Sequence, residues 1–205
     1  MSPLYKNIIL ASASPQRKEL LAQIIPQDDF MVIASDVSEE ILPGEDAESH
    51  TIRLAEEKAR DVIARKKIGG RSLVIGADTI VSLDNEIIGQ PKDNADAKRI
   101  LKKLSRRCHT VITGVAIILT EENRIIKFAV KSKVWFKELS REMIEEYINS
   151  GEHIGKAGAC CIQGLGKNLV ERYEGSFTNI VGFPVEEIRE ALLNFVKGTV
   201  KTHTI

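Results

Sequence analysis

The sequence lacks the features that mark a membrane protein or a protein of an oxidising compartment. Its 205 residues include only three cysteines, Cys108, Cys160 and Cys161, and none of them forms a Cys-x-x-Cys pair. Adjacent cysteines rarely bond to each other, so the expected compartment is a reducing one. No apolar run approaches the ~20 residues of a membrane-spanning helix, and the N-terminus has no apolar signal-peptide region. These absences predict a cytoplasmic protein with no membrane partner.

An excess of charge of either sign is also missing. The 29 Lys and Arg residues equal the 29 Asp and Glu residues in number, so no overall field attracts a nucleic acid. A row of lysines alternates along 124–137, as it could in a nucleic-acid-binding strand. Only one aromatic residue, Trp135, lies among them for bases to stack on, so a solvated sheet face is the preferred interpretation. The residues of that row are Lys127, Lys131, Lys133 and Lys137. The predicted partner is therefore a small anionic molecule and not a nucleic acid polymer.

Two glycine motifs that bind phosphate groups are absent. No G-x-x-x-x-G-K-[ST] sequence occurs, so no P-loop is expected. The segment GLGKNL at 164–169 has Leu169 where the third glycine of a dinucleotide fingerprint belongs. A Rossmann oxidoreductase is accordingly the least supported class.

The order of the predicted elements indicates an α/β fold. Strands are predicted over 7–12, 30–34, 74–83 and 168–173, with a long hairpin over 109–119 and 124–137. Helices are predicted to begin at Ser14-Pro15, near Asp46, after Asp93, at Ser140 and at Pro184. Helices that alternate with isolated strands and one hairpin predict a mixed, bent central sheet flanked by helices, with two lobes around a cleft. We expect one domain over 1–197 and a polar tail over 198–205.

One carboxylate interrupts the central strand. Apolar residues dominate VIGADTIVSL at 74–83, yet Asp78 lies among them, and strands disfavour Asp. A buried carboxylate requires a cation, a metal ion or backbone donors, because burial without a partner costs several kcal/mol. A strand-end Asp that caps a loop or pairs with an arginine is the alternative.

Three other segments carry groups suited to a polyphosphate. The strand-to-helix turn with Ser12, Ser14 and Arg17 presents hydroxyls, free N–H groups and a guanidinium, although a plain Ser-Pro cap has the same sequence. Lys58 falls on the inward stripe of the second helix, where the alternative is an ammonium that extends into water. Glu39 lies in an acidic segment of a kind that is usually solvated. Two carboxylates and several cations together suit a divalent metal ion and a polyphosphate.

The sequence resembles the Maf family, the septum-formation-protein-like nucleotide pyrophosphatases. The matching segments are LASASPQRKELL, RLAEEKA, GADTIV with IIGQP, HTVITGVAI, and KAGACCIQG with GSFTNIVGFP. They occur in family order across nearly the whole chain, and jointly they are specific.

The resemblance implies a Maf/ITPase-like fold and hydrolysis of a nucleoside triphosphate between its α and β phosphates, with Mg²⁺ or Mn²⁺ as cofactor. It assigns Asp78 as the proton acceptor, with Glu39 as its partner at the metal, and it assigns Arg17 and Lys58 as phosphate contacts. Family members are often dimers, so a homodimer is expected. The positions that it connects with base selection are Gln16, Thr79 and Gln163.

Gln163 favours the branch of the family that acts on dTTP and UTP. The other branch, which acts on 7-methylguanosine triphosphate, tends to carry Glu there, whereas an amide can both donate to a pyrimidine carbonyl and accept from its ring N–H.

Four positions depart from the family pattern. Gln16 replaces an arginine and Gln90 replaces a lysine, while Cys160 and Gly155 stand where Tyr and Asp are usual. The loss of two cations motivates a second hypothesis, a nucleotide-binding protein that regulates cell division with weak or no catalysis.

Overall fold

The computed structural model describes residues 7–197, so the predicted tail over 198–205 lies outside the described residues. In this part of the chain seven strands form one mixed sheet. The strands are β1 (Asn7–Ala11), β2 (Met31–Val32), β3 (Ser72–Leu83), β4 (Glu86–Ile88), β5 (Cys108–Leu119), β6 (Arg124–Phe136) and β7 (Val170–Glu174). The helices are α1 (Pro15–Leu21), α2 (Ala47–Arg65), α3 (Asn94–Leu104), α4 (Arg141–Ser150), α5 (Phe177–Val181) and α6 (Val185–Lys197).

The strand order is β2-β1-β3-β5-β6-β7, with β4 paired to β3. The β1 strand is parallel to β2 and β3, whereas β3, β5, β6 and β7 are successively antiparallel. The sheet is therefore mixed, as the sequence predicted.

Alternate strand residues pack on opposite faces of the sheet, as the two-residue period of a strand requires. Ile9, Ala11 and Val74 contact buried residues of α2 on one face. Leu10 and Ile75 face the other side, in a cluster with α1 and α6. A further cluster on that side joins the far ends of β3, β5 and β6 to α3 and α4. Residues from both faces of the sheet, among them Lys58 of α2 and Val134 of β6, line the candidate site.

The starts of α1, α2, α3 and α4 were predicted, and each of these helices has a capping side chain. The caps of these four helices accept hydrogen bonds from first-turn N–H groups, and Gly151 ends α4 with a left-handed φ of 76°. Those caps are Ser14, Asp46, Asp93 and Ser140. None of the helices in the described part of the chain is both long and apolar enough to cross a membrane.

Several predicted boundaries were wrong. The strand predicted over 30–34 is reduced to the exposed pair Met31–Val32. The strand predicted over 168–173 begins at Val170, after a 3₁₀ helix over Gly164–Leu169. The short helix α5 was not among the predicted helices, and its cap Ser176 accepts from the N–H of Asn179. Short elements such as these are held by contacts with distant residues, which local patterns do not record.

The four lysines of the row, three on β6 and Lys137 just after it, are exposed, as predicted, and two of them pair with carboxylates of α2. Lys127 lies 2.8 Å from Glu56 and Lys131 lies 2.5 Å from Glu48, and both carboxylates belong to α2. Two of the four lysines on the predicted solvated face therefore also form ion pairs with a helix.

Candidate active site

A cavity of about 680 Å³ opens at an interruption in the sheet. One edge of β3 pairs with β1 as far as Gly76, and the same edge pairs with β4 from Val81 onward. In the described chain, residues 77–80 have no strand on that edge, and three of them, Asp78, Thr79 and Ile80, line the cavity. The volume lies in the range of small-molecule sites.

Close packing of α2 on β3 and β5 sets the position of Lys58. A Cβ atom on Gly76 would lie 2.0 Å from the carbonyl oxygen of Ala55, and one on Gly114 would lie 2.4 Å from that of Thr51. Only glycines allow the helix this close. The consequence is that the Lys58 ammonium reaches the centre of β3.

Lys58 and Asp78 form a buried ion pair. The side chains are 8% and 6% exposed, and Lys58 Nζ lies 2.6 Å from Asp78 Oδ1. The inward orientation of Lys58 and the burial of Asp78 were both predicted. The alternatives of a lysine extended into water and of an Asp paired with an arginine do not describe the structure.

Glu39 is the second carboxylate on Lys58. Its Oε1 also lies 2.6 Å from Lys58 Nζ, but its side chain is 48% exposed. The two carboxylate oxygens therefore lie within twice that distance of each other, one buried and one reached from water. Segment 33–46 and β3, which are far apart in sequence, meet at this ammonium.

A clamp on α2, which the sequence reasoning missed, holds the segment that carries Glu39. Arg53 donates to Glu45 at 2.6 and 2.8 Å and to the Glu40 carbonyl oxygen at 3.0 Å. His50 Nδ1 lies 2.9 Å from Glu45. Hydrogen bonding to Arg53, assisted by His50, lowers the pKa of Glu45 to about 2. The sequence signal was only the spacing of His50, Arg53 and Glu57 on one helix face.

The start of α1 forms one wall of the cavity. The Ser14 N–H donates to Ser12 Oγ at 3.1 Å, and Ser14 Oγ accepts from the Arg17 N–H at 3.4 Å. Ser14 Oγ also donates to Gln16 Oε1 at 3.2 Å. Both predicted serines and Gln16 line the cavity, and Ser14 acts as the helix cap as well.

Arg17 is in the site, but its guanidinium binds the protein itself. Nε donates to the Gly182 carbonyl oxygen at 3.0 Å, and Nη1 donates to that of Ala77 at 2.8 Å. Nη1 also approaches Ser12 Oγ at 3.4 Å, and Nη2 donates to Thr79 Oγ1 at 3.0 Å. Burial lowers the pKa of Arg17, and the charges of Asp78 and Glu39 act in the opposite direction. Neutral oxygens thus occupy most of the donors that were predicted to contact phosphate.

The far end of the cavity is largely apolar. It is lined by Val111, Val134 and Phe136, and His109 packs edge-on against Phe136. His109 is 4% exposed, its Nδ1 has no hydrogen-bond partner, and burial lowers its pKa to about 4. The ring is therefore neutral near pH 7, and this residue was not predicted as part of the site.

The structure brings together all but one of the predicted site residues. Ser12, Ser14, Gln16, Arg17, Glu39, Lys58, Asp78 and Thr79 all line the cavity. Gln163 is exposed, does not line the cavity, and lies with its Oε1 4.0 Å from Cys161 Sγ. Its role in base selection stays a prediction.

The donor set fits a divalent metal ion only in part. No group of three His, Cys, Asp or Glu side chains within residues 7–197 is arranged to hold a metal ion. Two carboxylates do converge on one point, where the Lys58 ammonium supplies positive charge. Mg²⁺ commonly takes one or two protein carboxylates and completes its shell with water and substrate phosphates. Asp78 and Glu39 fit that mode of binding, whereas a cage made only of protein ligands is not present.

The sequence matches the model of one protein family over nearly all described residues. The family is described as Maf-like protein, and residues 7–195 match it. A relative from Geotalea uraniireducens (strain Rf4), named dTTP/UTP pyrophosphatase, is 50% identical over 91% of this chain and 93% of its own length. A relative of the same name from Clostridium botulinum (strain Okra / Type B1) is 43% identical over 92% and 96%.

A solved structure is also similar, at a greater distance. It is the nucleoside-triphosphatase, dITP/XTP pyrophosphatase, from Mycobacterium abscessus, with a TM-score of 0.44 and 15% identity. The match covers 97% of this chain and 100% of that one.

Proposed function

Because this chain belongs to the Maf family, we propose that it is a nucleoside triphosphate pyrophosphatase that hydrolyses dTTP and UTP to the monophosphate and pyrophosphate. The names of its relatives support the activity. The observation that carries the proposal is the convergence of Asp78, Lys58 and Glu39 in one cavity at an open strand edge. The domain that performs the reaction is proposed to span 1–197.

In the proposed reaction, a water molecule attacks the α phosphorus. A bond forms from the water oxygen to that phosphorus, and the bond to the oxygen that bridges the α and β phosphates breaks. Pyrophosphate leaves with the electron pair, and the proton of the water passes to a base. Asp78 is the proposed base, because Oδ1 is held by Lys58 and the carboxylate is fixed on a buried strand.

Lys58 is proposed to offset the charge that develops on the phosphoryl oxygens. An ammonium in a cavity with little water stabilises such charge far more than one in bulk solvent. Ser12 and Ser14 would donate to phosphate oxygens from the α1 wall. Arg17 would contribute its charge more than direct contacts, since its donors are occupied.

Mg²⁺ or Mn²⁺ is the proposed cofactor, held by Asp78 and Glu39 together with substrate phosphates. When bound, it would neutralise phosphate charge and polarise the phosphoryl group. Lys58, which pairs with both carboxylates, would add its positive charge to that of the metal ion.

Three features stay predictions, the first and last implied by the family and the second by the sequence. They are base selection by Gln16 and Gln163, a cytoplasmic location, and assembly as a homodimer.

Product analysis tests the proposed function directly. With Mg²⁺ or Mn²⁺ and either dTTP or UTP, the protein should release pyrophosphate and the monophosphate in equal amounts. Asp78→Asn should lower kcat by at least ~10²-fold, because it removes the general base. The matched control is Asp84→Asn on the exposed turn of the same strand, which should leave kcat unchanged. Release of orthophosphate, or an Asp78→Asn variant as active as the control, would contradict the proposal.

The second candidate function is nucleotide binding with weak or no catalysis. Gln16 and Gln90, the two positions where the family carries cations, both line the cavity. In that case UTP or dTTP would raise the Tm of the protein without being consumed. Gln90→Lys helps to distinguish the two, since an enzyme that already has sufficient cations should gain little from a new one.

A further inference from the structure

Among the described residues that line the cavity, the lysines and arginines outnumber the carboxylates by one. The cations are Arg17, Lys58 and Lys156, and the carboxylates are Asp78 and Glu39. Arg17 and Lys58 balance the two carboxylates, so these four side chains contribute no net charge. A nucleoside triphosphate carries several negative charges. The positive balance that favours such a ligand therefore comes from Lys156.

Lys156 also differs from the other two cations in the state of its donors. The guanidinium of Arg17 donates to protein oxygens, and the ammonium of Lys58 bonds two carboxylates. Lys156 is half-buried, and within residues 7–197 its ammonium makes no ion pair and no hydrogen bond. A lysine ammonium has three N–H donors. All three are therefore available to a ligand in the cavity.

The backbone of the loop that carries Lys156 is held in place. The Lys156 N–H donates to the His153 carbonyl oxygen at 3.2 Å, and the Gly158 N–H donates to that of Gly89 at 3.0 Å. His153 is buried, and its Nε2 lies 3.0 Å from Asn94 Oδ1 at the start of α3. Binding through Lys156 therefore has to order only the rotamers of one side chain, which keeps its entropic cost low.

This loop lies on the opposite face of the sheet from Asp78. Alternate residues of β3 face opposite ways. Asp78 faces α2, whereas Val81 belongs to the cluster with α3 and α4. The loop of Lys156 packs on this second face, where a Cβ on Gly158 would lie 2.7 Å from Val81 Cγ2. A phosphoryl group in the opening between β1 and β4 would thus have Asp78 on one side and the loop of Lys156 on the other.

We propose that Lys156 binds the pyrophosphate portion of the nucleoside triphosphate and stabilises it as it leaves. The proposal rests on the proposed function, in which Asp78 takes the proton of the water that attacks the α phosphorus. The attacking and leaving oxygens of a phosphoryl transfer are roughly in line, so the leaving oxygen lies away from Asp78, toward the face that carries Lys156. Negative charge grows on that oxygen as its bond to the α phosphorus breaks, and an unpaired ammonium offsets it.

The test compares the wild-type protein with Lys156→Met, which keeps an unbranched side chain but lacks the charge. Its kcat/KM for UTP should fall by at least ~10-fold, because a hydrogen bond between charged groups is lost. At fixed Mg²⁺ the inhibition constant of pyrophosphate should also rise by at least ~10-fold, whereas that of UMP should change by less than ~2-fold. Lys156→Arg, which keeps the charge, should retain most of both. Since the ammonium has no protein partner to lose, the Tm of both variants should equal that of the wild type.

A lysine at position 90 should replace the missing charge. Gln90 lines the same cavity, and a Cβ on Gly155, the neighbour of Lys156, would lie 4.0 Å from Gln90 Oε1. Gln90→Lys should therefore restore the kcat/KM of Lys156→Met to within a few fold of the wild type, although it should add little to the wild-type protein. A merely structural role of Lys156 would not be rescued in this way.

Lys167→Met is the matched control. Lys167 is exposed on the 3₁₀ helix over Gly164–Leu169 and does not line the cavity, so its substitution should leave the kinetic constants unchanged. Wild-type kcat/KM and pyrophosphate inhibition in Lys156→Met would overturn the proposal, and so would an equal loss of affinity for UMP and pyrophosphate.

Dissociation constants for α,β-methylene-UTP, which cannot be cleaved at that bond, separate this proposal from the proposed function. A wild-type protein that binds the analogue but does not turn over UTP would refute the proposed function. Weaker binding of the analogue by Lys156→Met than by Lys167→Met would still support the contact, and equal binding would refute it.

Discussion

At the scale of single residues, Lys58 connects the charges of the site. Its ammonium bonds a buried carboxylate and a half-exposed one at equal distances. An ion pair in the interior gains its stability only while both partners are present, because either charge alone is poorly solvated there. Because Asp78 is buried, the stability of the fold depends on its partner Lys58.

Substitution of Lys58 should therefore be costly unless Asp78 is neutralised as well. Lys58→Met is expected to lower the free energy of unfolding by about 3 kcal/mol in urea titrations. In an Asp78→Asn background the same substitution should cost at least ~1 kcal/mol less. Costs that add within about 0.5 kcal/mol would show that the two side chains are not coupled.

His109 gives the stability of the protein a pH dependence of its own. Burial lowers its pKa to about 4, below the ordinary value of 6.5. The unfolded chain therefore binds a proton first as the pH falls, so the folded state loses stability from about pH 6.5 down to about pH 4. Between pH 8 and pH 5 the loss should be about 2 kcal/mol.

His109→Phe, which keeps a ring against Phe136, should remove that loss. The measurement is urea unfolding at several pH values between 5 and 8, a range above the titration of most carboxylates. A variant whose stability falls with pH as steeply as that of the wild type would contradict this assignment.

At the scale of elements, the distance between α2 and the sheet controls the site. Gly76→Ala would place a Cβ 2.0 Å from the Ala55 carbonyl oxygen, which is backbone and cannot rotate away. The helix would have to move outward and take Lys58 with it. We expect a loss of at least ~2 kcal/mol in stability and a drop in kcat of at least ~10-fold.

Gly69→Ala is the control for this substitution. Gly69 has nothing within 4 Å of the added Cβ and no left-handed φ. The free energy of unfolding of the Gly69→Ala variant should therefore be unchanged or slightly higher. Unfolding in urea and turnover of dTTP measure both effects. If Gly76→Ala behaved like the control, the close approach of α2 would not be what positions Lys58.

The elements also show what the sequence could and could not reveal. The apolar stripe of α2 contained Lys58, and the apolar strand around Asp78 made that carboxylate conspicuous, so their meeting could be predicted. Arg17 lines the cavity, but its partner Gly182 is 165 residues away and no local spacing indicates it. The clamp of Arg53 and Glu45 was missed for a related reason, since surface ion pairs on helices are common and carry little information.

At the scale of the whole molecule, two core clusters pack on one face of the sheet. One cluster joins β1, α1 and α6, and the other joins α3, α4 and the distal ends of the long strands. Helix caps and strand periods predicted both sets of elements. The cavity itself arises because β1 ends at Ala11 before β4 begins its pairing, and no pattern within either strand signals that relation.

The unpaired stretch at 77–80 also affects the solubility of the protein. A long bare strand edge is a template on which another chain can add a strand and start an aggregate. Here the opening is four residues long, flanked on both sides by paired strands, and Arg17 already occupies the Ala77 carbonyl oxygen. The gap therefore gives a ligand access to the cavity without exposing a strand edge long enough for another chain to pair with.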